Sequence, residues 1–348
     1  MCIRDRPHPR LRGPDYDALL DEFVEAVEAV FPRALLQLED FANENAFRLL
    51  ERYRHRLPCF DDDIQGTGAV ALAGLYSALR ISGVRLSDQR YLFVGAGEAG
   101  LGIGHLLVAA LREEGLPESE ALARCWFMDS KGLVVAGRSD LAPHKRTFAH
   151  DAEPGTDLVD AVRRIRPSAL IGVSGQAGRF TRPVRETLAA QETHPIVFAL
   201  SNPTSKSECT ARQAYEWTQG RAIFASGSPF EPVDLDGRTF VPGQGNNAYV
   251  FPGVGLGAVF SGARRVTDEM FFAAARALAD AVSDEDLALG RIYPPLSRIR
   301  EVSSAIAAAV TRIAVERGLA DAAAIGGLDD VESRIRASMY VPGYPSVD

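Results

Sequence analysis

The chain has 348 residues, of which 46% are hydrophobic and 24% charged, and its formal net charge is −8. This length allows a large core and more than one domain, and the negative charge argues against nucleic acid as a partner. We find no 18-residue apolar run, no secretion-signal pattern and no CxxC among four scattered cysteines. A membrane span, a zinc knuckle and a disulfide framework are therefore disfavoured, and a cytoplasmic location is expected.

Apolar spacing predicts the elements in chain order. Helices are predicted at 16–30 and 43–56, with a short buried strand at 34–38 between them, and an apolar helix follows at 67–81. The segments 1–11 and 342–348 lack periodicity and are expected to be loose ends. Further strands are predicted at 91–94, 125–128, 169–173, 196–200 and 222–225, and late helices at 267–282 and 297–317. The alternation predicts an α/β fold with a Rossmann-type, doubly wound parallel sheet.

A glycine pattern directly follows the strand predicted at 91–94. Gly95, Gly97 and Gly100 fit G-x-G-x-x-G between this strand and an apolar helix, the context in which the pattern indicates a dinucleotide site. Glu98 and Ala99 lie inside the motif, where the helix N-terminus would face a pyrophosphate. Glycines at a turn without any ligand are the less favoured alternative.

The residue that binds the ribose should follow the next strand. Asp129 stands there, 29 residues past Gly100, where about 20 is usual. Ser130, Lys131 and Lys145 offer a hydroxyl and two cations to a 2′-phosphate. They favour NADP modestly over NAD, although either lysine is as compatible with a solvated surface charge.

Acidic residues occur next to apolar ones in two places. Glu39 and Asp40 follow the run 34–38, and Asp61, Asp62 and Asp63 follow Pro58-Cys59-Phe60. Buried carboxylates are costly unless they are paired or bind a cation. The trio Glu39, Asp40 and Asp63 would suit Mg²⁺ or Mn²⁺, and a solvated acidic loop is equally compatible. Asp61 is expected to be exposed, and Asp62 to act as a cap or as an acceptor beside the ligands.

Polar residues follow two later apolar segments. Asn202 comes after the strand at 196–200, and Asn246 and Asn247 stand in a Gly/Pro-rich loop. Their amides could hold a substrate carboxylate without adding charge, although each Asn is also compatible with an ordinary turn. Ser174, after the strand at 169–173, is a candidate to lie beneath a nicotinamide ring.

Taken in order, these motifs resemble those of malic enzymes. The resemblance runs from about Arg12 to about Tyr344, and one departure from the family pattern is Asp61, where Asn is usual. The segments that carry it are 38–43 (LEDFAN), 60–67 (FDDDIQGT), 93–100 (FVGAGEAG), 129–132 (DSKG), 200–204 (LSNPT) and 243–247 (GQGNN).

The resemblance implies oxidative decarboxylation of L-malate to pyruvate and CO₂ with NAD(P)⁺ and a divalent metal. Glu39, Asp40 and Asp63 match the family's metal ligands, and Asn202 and Asn247 match residues that contact malate, Asn202 also lying on the cofactor side. A homo-oligomer, dimer or tetramer, is expected because family members usually form one.

The resemblance implies a catalytic lysine and tyrosine in an N-terminal region, which is expected to have no counterpart in this chain, so no catalytic residue is assigned here. Lys131, Lys145 and Lys206 are all expected on the cofactor side. Since an acid–base group typically contributes about 10²–10⁴ in rate, the chain is expected to bind cofactor but to turn over malate slowly or not at all.

The predicted organisation places part of a substrate and metal domain at 1–61 and the nucleotide domain at 62–245. A helical return to the first domain follows at 246–318, and a C-terminal extension at 319–348. A non-catalytic dinucleotide-binding module is the main alternative function. An amino-acid dehydrogenase is disfavoured, because no lysine precedes Lys131.

Overall fold

A computed structural model describes residues 11–42 and 44–343. Most of the predicted loose ends, 1–10 and 344–348, and position 43 of the second predicted helix lie outside the described residues. The α-helices are α1 (Pro14–Val30), α2 (Ala46–Tyr53), α3 (Thr67–Ser82), α4 (Glu98–Glu113), α5 (Glu118–Arg124), α6 (Pro143–Arg146), α7 (Leu158–Ile165), α8 (Arg182–Gln191), α9 (Ala211–Trp217), α10 (Phe251–Ser261), α11 (Asp268–Asp280), α12 (Asp284–Ala288), α13 (Ile299–Glu316) and α14 (Val331–Ser338). The strands are β1 (Leu36–Leu38), β2 (Cys59–Asp61), β3 (Tyr91–Val94), β4 (Cys125–Asp129), β5 (Gly132–Leu133), β6 (Ala169–Gly172), β7 (Ile196–Ala199), β8 (Ile223–Ser226), β9 (Val233–Leu235), β10 (Arg238–Phe240) and β11 (Gly243–Gln244).

The main sheet has the strand order β11-β8-β7-β6-β3-β4-β5. All neighbouring strands in it are parallel except β4 and β5, which form an antiparallel edge. The chain runs outward from β3 to β4 and then returns to β6 on the other side of β3. The predicted α/β class with a parallel sheet is confirmed, and the gap between β3 and β6 is its topological switch point, where open sheets bind ligands.

The two faces of the sheet are covered by different helices. Tyr91 and Phe93 of β3 pack in a large hydrophobic cluster that also includes residues of α3, α4, α11 and α13. Leu92 and Val94 point to the opposite face and pack with α7, α8 and α9. Central strands buried on both faces have no polar side, which is why their sequences are continuous apolar runs.

A second, two-stranded sheet stands apart from the first. Strands β1 and β2 pair in parallel, with Leu38 opposite Asp61, and pack against α1 and α2 through a small apolar cluster. The sequence analysis predicted β1 but not β2. Because parallel strands end at the same edge, this pairing carries the segments after Leu38 and after Asp61 to one place.

The late helices belong to the same core as the sheet. Helices α10, α11 and α13 share one hydrophobic cluster with α3, so the predicted return after residue 246 packs directly on the helix at 67–82. The predicted domain boundaries stay a prediction. Within the described ranges, no helix is both long and apolar enough to cross a bilayer.

Candidate functional site

A cavity of 350 Å³ opens at the carboxyl ends of β3, β4 and β6. Gly95, in the turn after β3, has a φ of 124°, in the region that favours glycine, and a Cβ there would lie 2.6 Å from the carbonyl oxygen of Val173. A Cβ on Gly100 would lie 2.4 Å from the carbonyl oxygen of Gly95. The first glycine thus makes the turn, the last lets α4 pack closely, and Gly97, which lines the cavity, stands as the N-cap of α4.

Asp129, at the end of β4, is held by two cations. Its carboxylate accepts hydrogen bonds from Arg138 at 2.8 and 3.2 Å and from Lys145 Nζ at 2.9 Å. Burial by itself would raise the pKa of Asp129, but the bonds from Arg138 and Lys145 lower it below its usual value. The carboxylate is therefore charged, and its charge is offset from within the chain.

The three candidate cofactor residues after Asp129 do not all lie at the cavity. Ser130 and Lys145 line the cavity with Asp129. Lys131 instead forms an ion pair with Asp140 at 2.8 Å, its side chain 66% exposed. Of the two candidate lysines, Lys145 is the one beside the predicted ribose end.

A neighbouring cavity of 460 Å³ contains the acidic residues. It shares Val173 with the nucleotide-side cavity, so the two spaces adjoin at the end of β6. Its polar lining residues are Glu39, Asp40, Asp62, Asp63, Thr67, Ser201, Asn202, Lys206, Asn246 and Asn247, and Ala99 lines it as well. The parallel pairing of β1 and β2 thus brings both acidic stretches to the predicted substrate amides.

The carboxylates interact with backbone and amide groups in this cavity. The backbone N–H of Asp40 donates to Asp63 Oδ2 at 2.7 Å, and Gln37 donates to Glu39 at 3.2 Å. Asn247 donates to Asp62 Oδ2 and to Thr67 Oγ1, both at 2.9 Å. Asp62 is an acceptor, and Asn247, 185 residues away in sequence, is its donor. Its predicted place beside metal ligands stays a prediction.

One prediction about this region is wrong. Asp61 was expected to be exposed, but its exposed fraction is 0% because it is the last residue of β2 and pairs with Leu38 inside the small sheet. Its Oδ1 accepts the backbone N–H of Ile64 and so caps the π-helical turn Asp62–Gly66. Asp61, and not Asp62, is therefore the residue that caps this turn.

Burial raises the pKa values of four acidic groups in and around this cavity. Burial raises the pKa of Asp61 and of Asp62 to about 7, and nearby carboxylates add to it. Burial also raises the pKa of Glu98, at the start of α4, to about 7, and that of Glu39 above its usual value. Such a group of carboxylates is unfavourable without a compensating positive charge.

The donor set fits a hard cation. Every acidic ligand candidate offers oxygen, and Asp61 Oδ2 and Asp62 Oδ1 are buried without a hydrogen-bond partner among the described residues. No three carboxylates of the described chain are already gathered as a coordination set. Ligation by Glu39, Asp40 and Asp63 therefore stays a prediction.

The remaining site residues divide between the cavities. Asn202 and Asn246 both line the acidic cavity, and the Asn246 side chain also accepts the N–H of Ala248, as a turn residue would. Ser174 lines the nucleotide-side cavity. The expectation that Lys206 lies on the cofactor side is wrong: it lines the acidic cavity, because the short turn after Asn202 carries it there and not to the nucleotide-side cavity.

The fold and the two cavities define a dinucleotide-binding α/β protein with an acidic pocket beside the nucleotide cleft. Residues 64–315 match the malic enzyme NAD binding domain, and residues 5–54 match the malic enzyme N-terminal domain. The chain belongs to the malic enzyme family.

Its relatives are longer than this chain. It is 52% identical over 341 residues to the mitochondrial NADP-dependent malic enzyme of Mus musculus, covering 97% of this chain and 56% of the relative. Identity to the NADP-dependent malic enzyme of Homo sapiens is 51% over 340 residues, covering 97% and 59%. The chain thus spans less than two thirds of these curated relatives. Because some relatives are named mitochondrial, the cytoplasmic location stays a prediction.

Solved structures of the family have the same fold. The crystal structure of Entamoeba histolytica malic enzyme superposes with a TM-score of 0.75 at 26% identity, covering 92% of this chain and 62% of that one. Malic enzyme from Pyrococcus horikoshii gives 0.69 at 28% identity, covering 90% and 68%.

Proposed function

We propose that this chain provides the nucleotide- and metal-binding part of an enzyme that oxidises and decarboxylates L-malate to pyruvate and CO₂ with NADP. The observation that carries the proposal is that the acidic cavity adjoins the nucleotide-side cavity at Val173. Hydride transfer requires the substrate carbon to lie against the nicotinamide ring, so a substrate in the first cavity must be within reach of a cofactor in the second.

Glu39, Asp40 and Asp63 are the proposed ligands of Mg²⁺ or Mn²⁺. When bound, the cation supplies Lewis-acid chemistry, which eases removal of the hydroxyl proton and stabilises enolate charge. The chain's own contribution is to hold the carboxylates in place. Asp63 is fixed by the Asp40 amide, and Asp62 by the Asn247 amide.

The proposed substrate contacts are polar groups that do not add negative charge. Malate carries two carboxylates and would be repelled by a purely acidic cavity. Asn202 offers a neutral donor, and Lys206 brings a positive charge to the same lining. Asn247 also lines the cavity, but its amide N–H groups already donate to Asp62 and Thr67. This combination favours a small dicarboxylate only once a cation has offset the acidic groups.

Preference for NADP over NAD is supported by the environment of Asp129. In NAD-binding sites an acidic residue at this place accepts the ribose hydroxyls and repels a 2′-phosphate. Here Arg138 and Lys145 already neutralise Asp129. Lys145, with a side chain only 21% exposed at the cavity wall, is positioned to pair with the phosphate.

The 348-residue chain is proposed to turn over malate slowly. The described lining of the acidic cavity contains one lysine, Lys206, and no tyrosine, and among the described residues that lysine forms no ion pair with a carboxylate. A proton acceptor and a proton donor are both needed, and each typically contributes about 10²–10⁴ in rate.

The test combines binding with turnover. Purified chain is titrated with NADPH, followed by its fluorescence, and then with Mn²⁺ in the presence and absence of malate. Asp63→Asn should abolish the dependence of malate binding on Mn²⁺ while NADPH still binds. Asp151→Asn, an exposed matched control, should behave like the wild type.

Each result decides between the candidate functions. Binding of NADPH with no coupling between Mn²⁺ and malate would leave only a dinucleotide-binding module. Malate-dependent NADPH formation at several turnovers per second would refute the slow-turnover proposal, because it would show that the chain's own residues supply the acid and the base.

A further inference from the structure

Glu208, just before α9, is a carboxylate with no exposed surface. Within the described ranges it forms no ion pair, so hydrogen bonds alone must compensate its burial. It lies outside the two cavities, and neither the proposed metal chemistry nor the proposed cofactor contacts use it. The question is therefore what the buried side chain of Glu208 does in this fold.

Its two oxygens join two loops that come from neighbouring strands. Oε1 accepts from Ser174 N at 3.1 Å and Ser174 Oγ at 3.3 Å, both in the loop after β6. Oε1 also accepts from Ser201 Oγ at 2.5 Å, and Oε2 from Ser201 N at 3.4 Å, in the loop after β7. The same carboxylate thus fixes both loops.

A further hydrogen bond joins the loop after β6 directly to the loop after β7. Gly175 N donates to Ser201 Oγ at 2.9 Å, while Ser201 Oγ in turn donates to Glu208. Gly175 and Ser201 both line the acidic cavity, next to Asn202, and Ser174 lines the nucleotide-side cavity. The network therefore runs along the boundary between the two cavities.

The surrounding chain leaves room for this carboxylate. A Cβ on Gly172, the last residue of β6, would lie 2.5 Å from the Glu208 carboxyl carbon. The backbone carbonyl of Glu208 accepts the N–H of Phe180 at 3.0 Å. Glu208 is thus anchored by its backbone and enters a space that any larger residue at 172 would occupy.

We propose that Glu208 is a positioning residue that fixes the Ser174–Gly175 loop against the Ser201–Asn202 loop, so that the nicotinamide end of the cofactor meets the substrate amide at one geometry. The inference rests on the proposed function in that these loops are taken to receive the nicotinamide end. It predicts that Glu208 matters for that half of the cofactor and not for the adenine half, which lies at Asp129 and Lys145.

The test compares two probes on the full chain. NADPH occupies both halves of the cofactor site, and adenosine 2′,5′-bisphosphate occupies only the adenine half. Glu208→Gln removes the charge at nearly constant size, and Ser201→Ala removes the hydroxyl that links Gly175 to Glu208. Glu186→Gln, at an exposed residue of α8 paired with Arg182, is the matched control.

For Glu208→Gln and Ser201→Ala we expect the Kd for NADPH to rise about tenfold, as for loss of a charge-assisted hydrogen bond. The fluorescence enhancement of bound NADPH should also fall, and the Kd for adenosine 2′,5′-bisphosphate should stay within about twofold. An equal rise in the Kd values for both probes would mean general structural damage and would contradict the proposal. Unchanged Kd values for both probes would also contradict the positioning role of Glu208.

Failure of the two proposals is distinguishable. If wild-type chain binds neither probe, the proposed nucleotide function fails before Glu208 is tested. If wild type binds both and Glu208→Gln does not fold, Ser201→Ala decides the matter, because it leaves the buried carboxylate and its two bonds from Ser174 in place.

Discussion

Replacing Asp61 by Asn should stabilise the metal-free protein. Asp61 is fully buried, and its Oδ2 has no hydrogen-bond partner within the described chain. Burial, helped by Asp63 and Glu39, raises the pKa of Asp61 to about 7 from an ordinary 3.8. The Asn carbonyl can still accept the N–H of Ile64, so the substitution removes the buried charge and keeps the cap.

The direction with pH follows from that raised pKa. The folded state disfavours the charged form, so Asp61 has little effect below about pH 4 and costs stability increasingly up to about pH 7, where the cost is complete. Three pH units correspond to about 4 kcal/mol at most. An unpaired Asn amide would cost about 1–3 kcal/mol, so we expect a net gain of about 1–3 kcal/mol at pH 8.

The assay is urea unfolding in EDTA at pH 8 and at pH 4.5, with and without the substitution. The gain should be present at pH 8 and less than half as large at pH 4.5. Saturating Mn²⁺ in place of EDTA should reduce it, because a cation near the acidic cavity offsets the same charge. An equal gain at both pH values, or a loss at pH 8, would refute the electrostatic argument.

Three further outcomes are expected. In ligand titrations, Lys145→Ala should raise the Kd for NADPH about 10–100-fold, while the Kd for NADH stays within about threefold. Lys131→Ala should change neither Kd by more than about threefold. A larger effect of Lys131→Ala would contradict the exposed ion pair of Lys131 with Asp140. Gly95→Ala should lower the free energy of unfolding in urea by about 2 kcal/mol or more and abolish NADPH binding. The cause is the φ of 124° at Gly95 and the 2.6 Å distance from an added Cβ to the Val173 carbonyl oxygen. Gly137→Ala, where nothing lies within 4 Å of an added Cβ, should change neither quantity, and equal effects of the two substitutions would contradict this cause. Mn²⁺ should raise the Tm of the wild type but not that of Asp63→Asn; a shift in both would place the ion elsewhere.

Local patterns predicted the strand β3, the glycine turn after it and the helix that follows. The strand at 91–94 has the predicted bounds, Gly95 lies in the turn after it, and Gly100 lies in the first turn of the helix, where a Cβ would meet Gly95 and Val173. Both depend on short-range physics: a continuous apolar run buried on two faces, and glycines where a Cβ would collide with backbone. Such requirements are visible in a single sequence because few other residues satisfy them.

Contacts between distant residues could not be predicted in the same way. β2 has three residues, and the burial of Asp61 follows only from its register with β1. Asn247 reaches Asp62 across 185 positions, and Glu208 meets Ser174 across 34. No periodicity or local propensity encodes these pairs, because they depend on which strand ends the fold brings together.

The account depends most on the proximity of a divalent cation to the nicotinamide. NMR of NADP⁺ bound to the chain, with Mn²⁺ added as a paramagnetic probe, measures this directly. We predict selective broadening of the nicotinamide protons over the adenine protons, which Asp63→Asn abolishes and Asp151→Asn preserves. Equal broadening at both ends of the cofactor, or broadening that survives in Asp63→Asn, would contradict a metal site formed by the two acidic stretches.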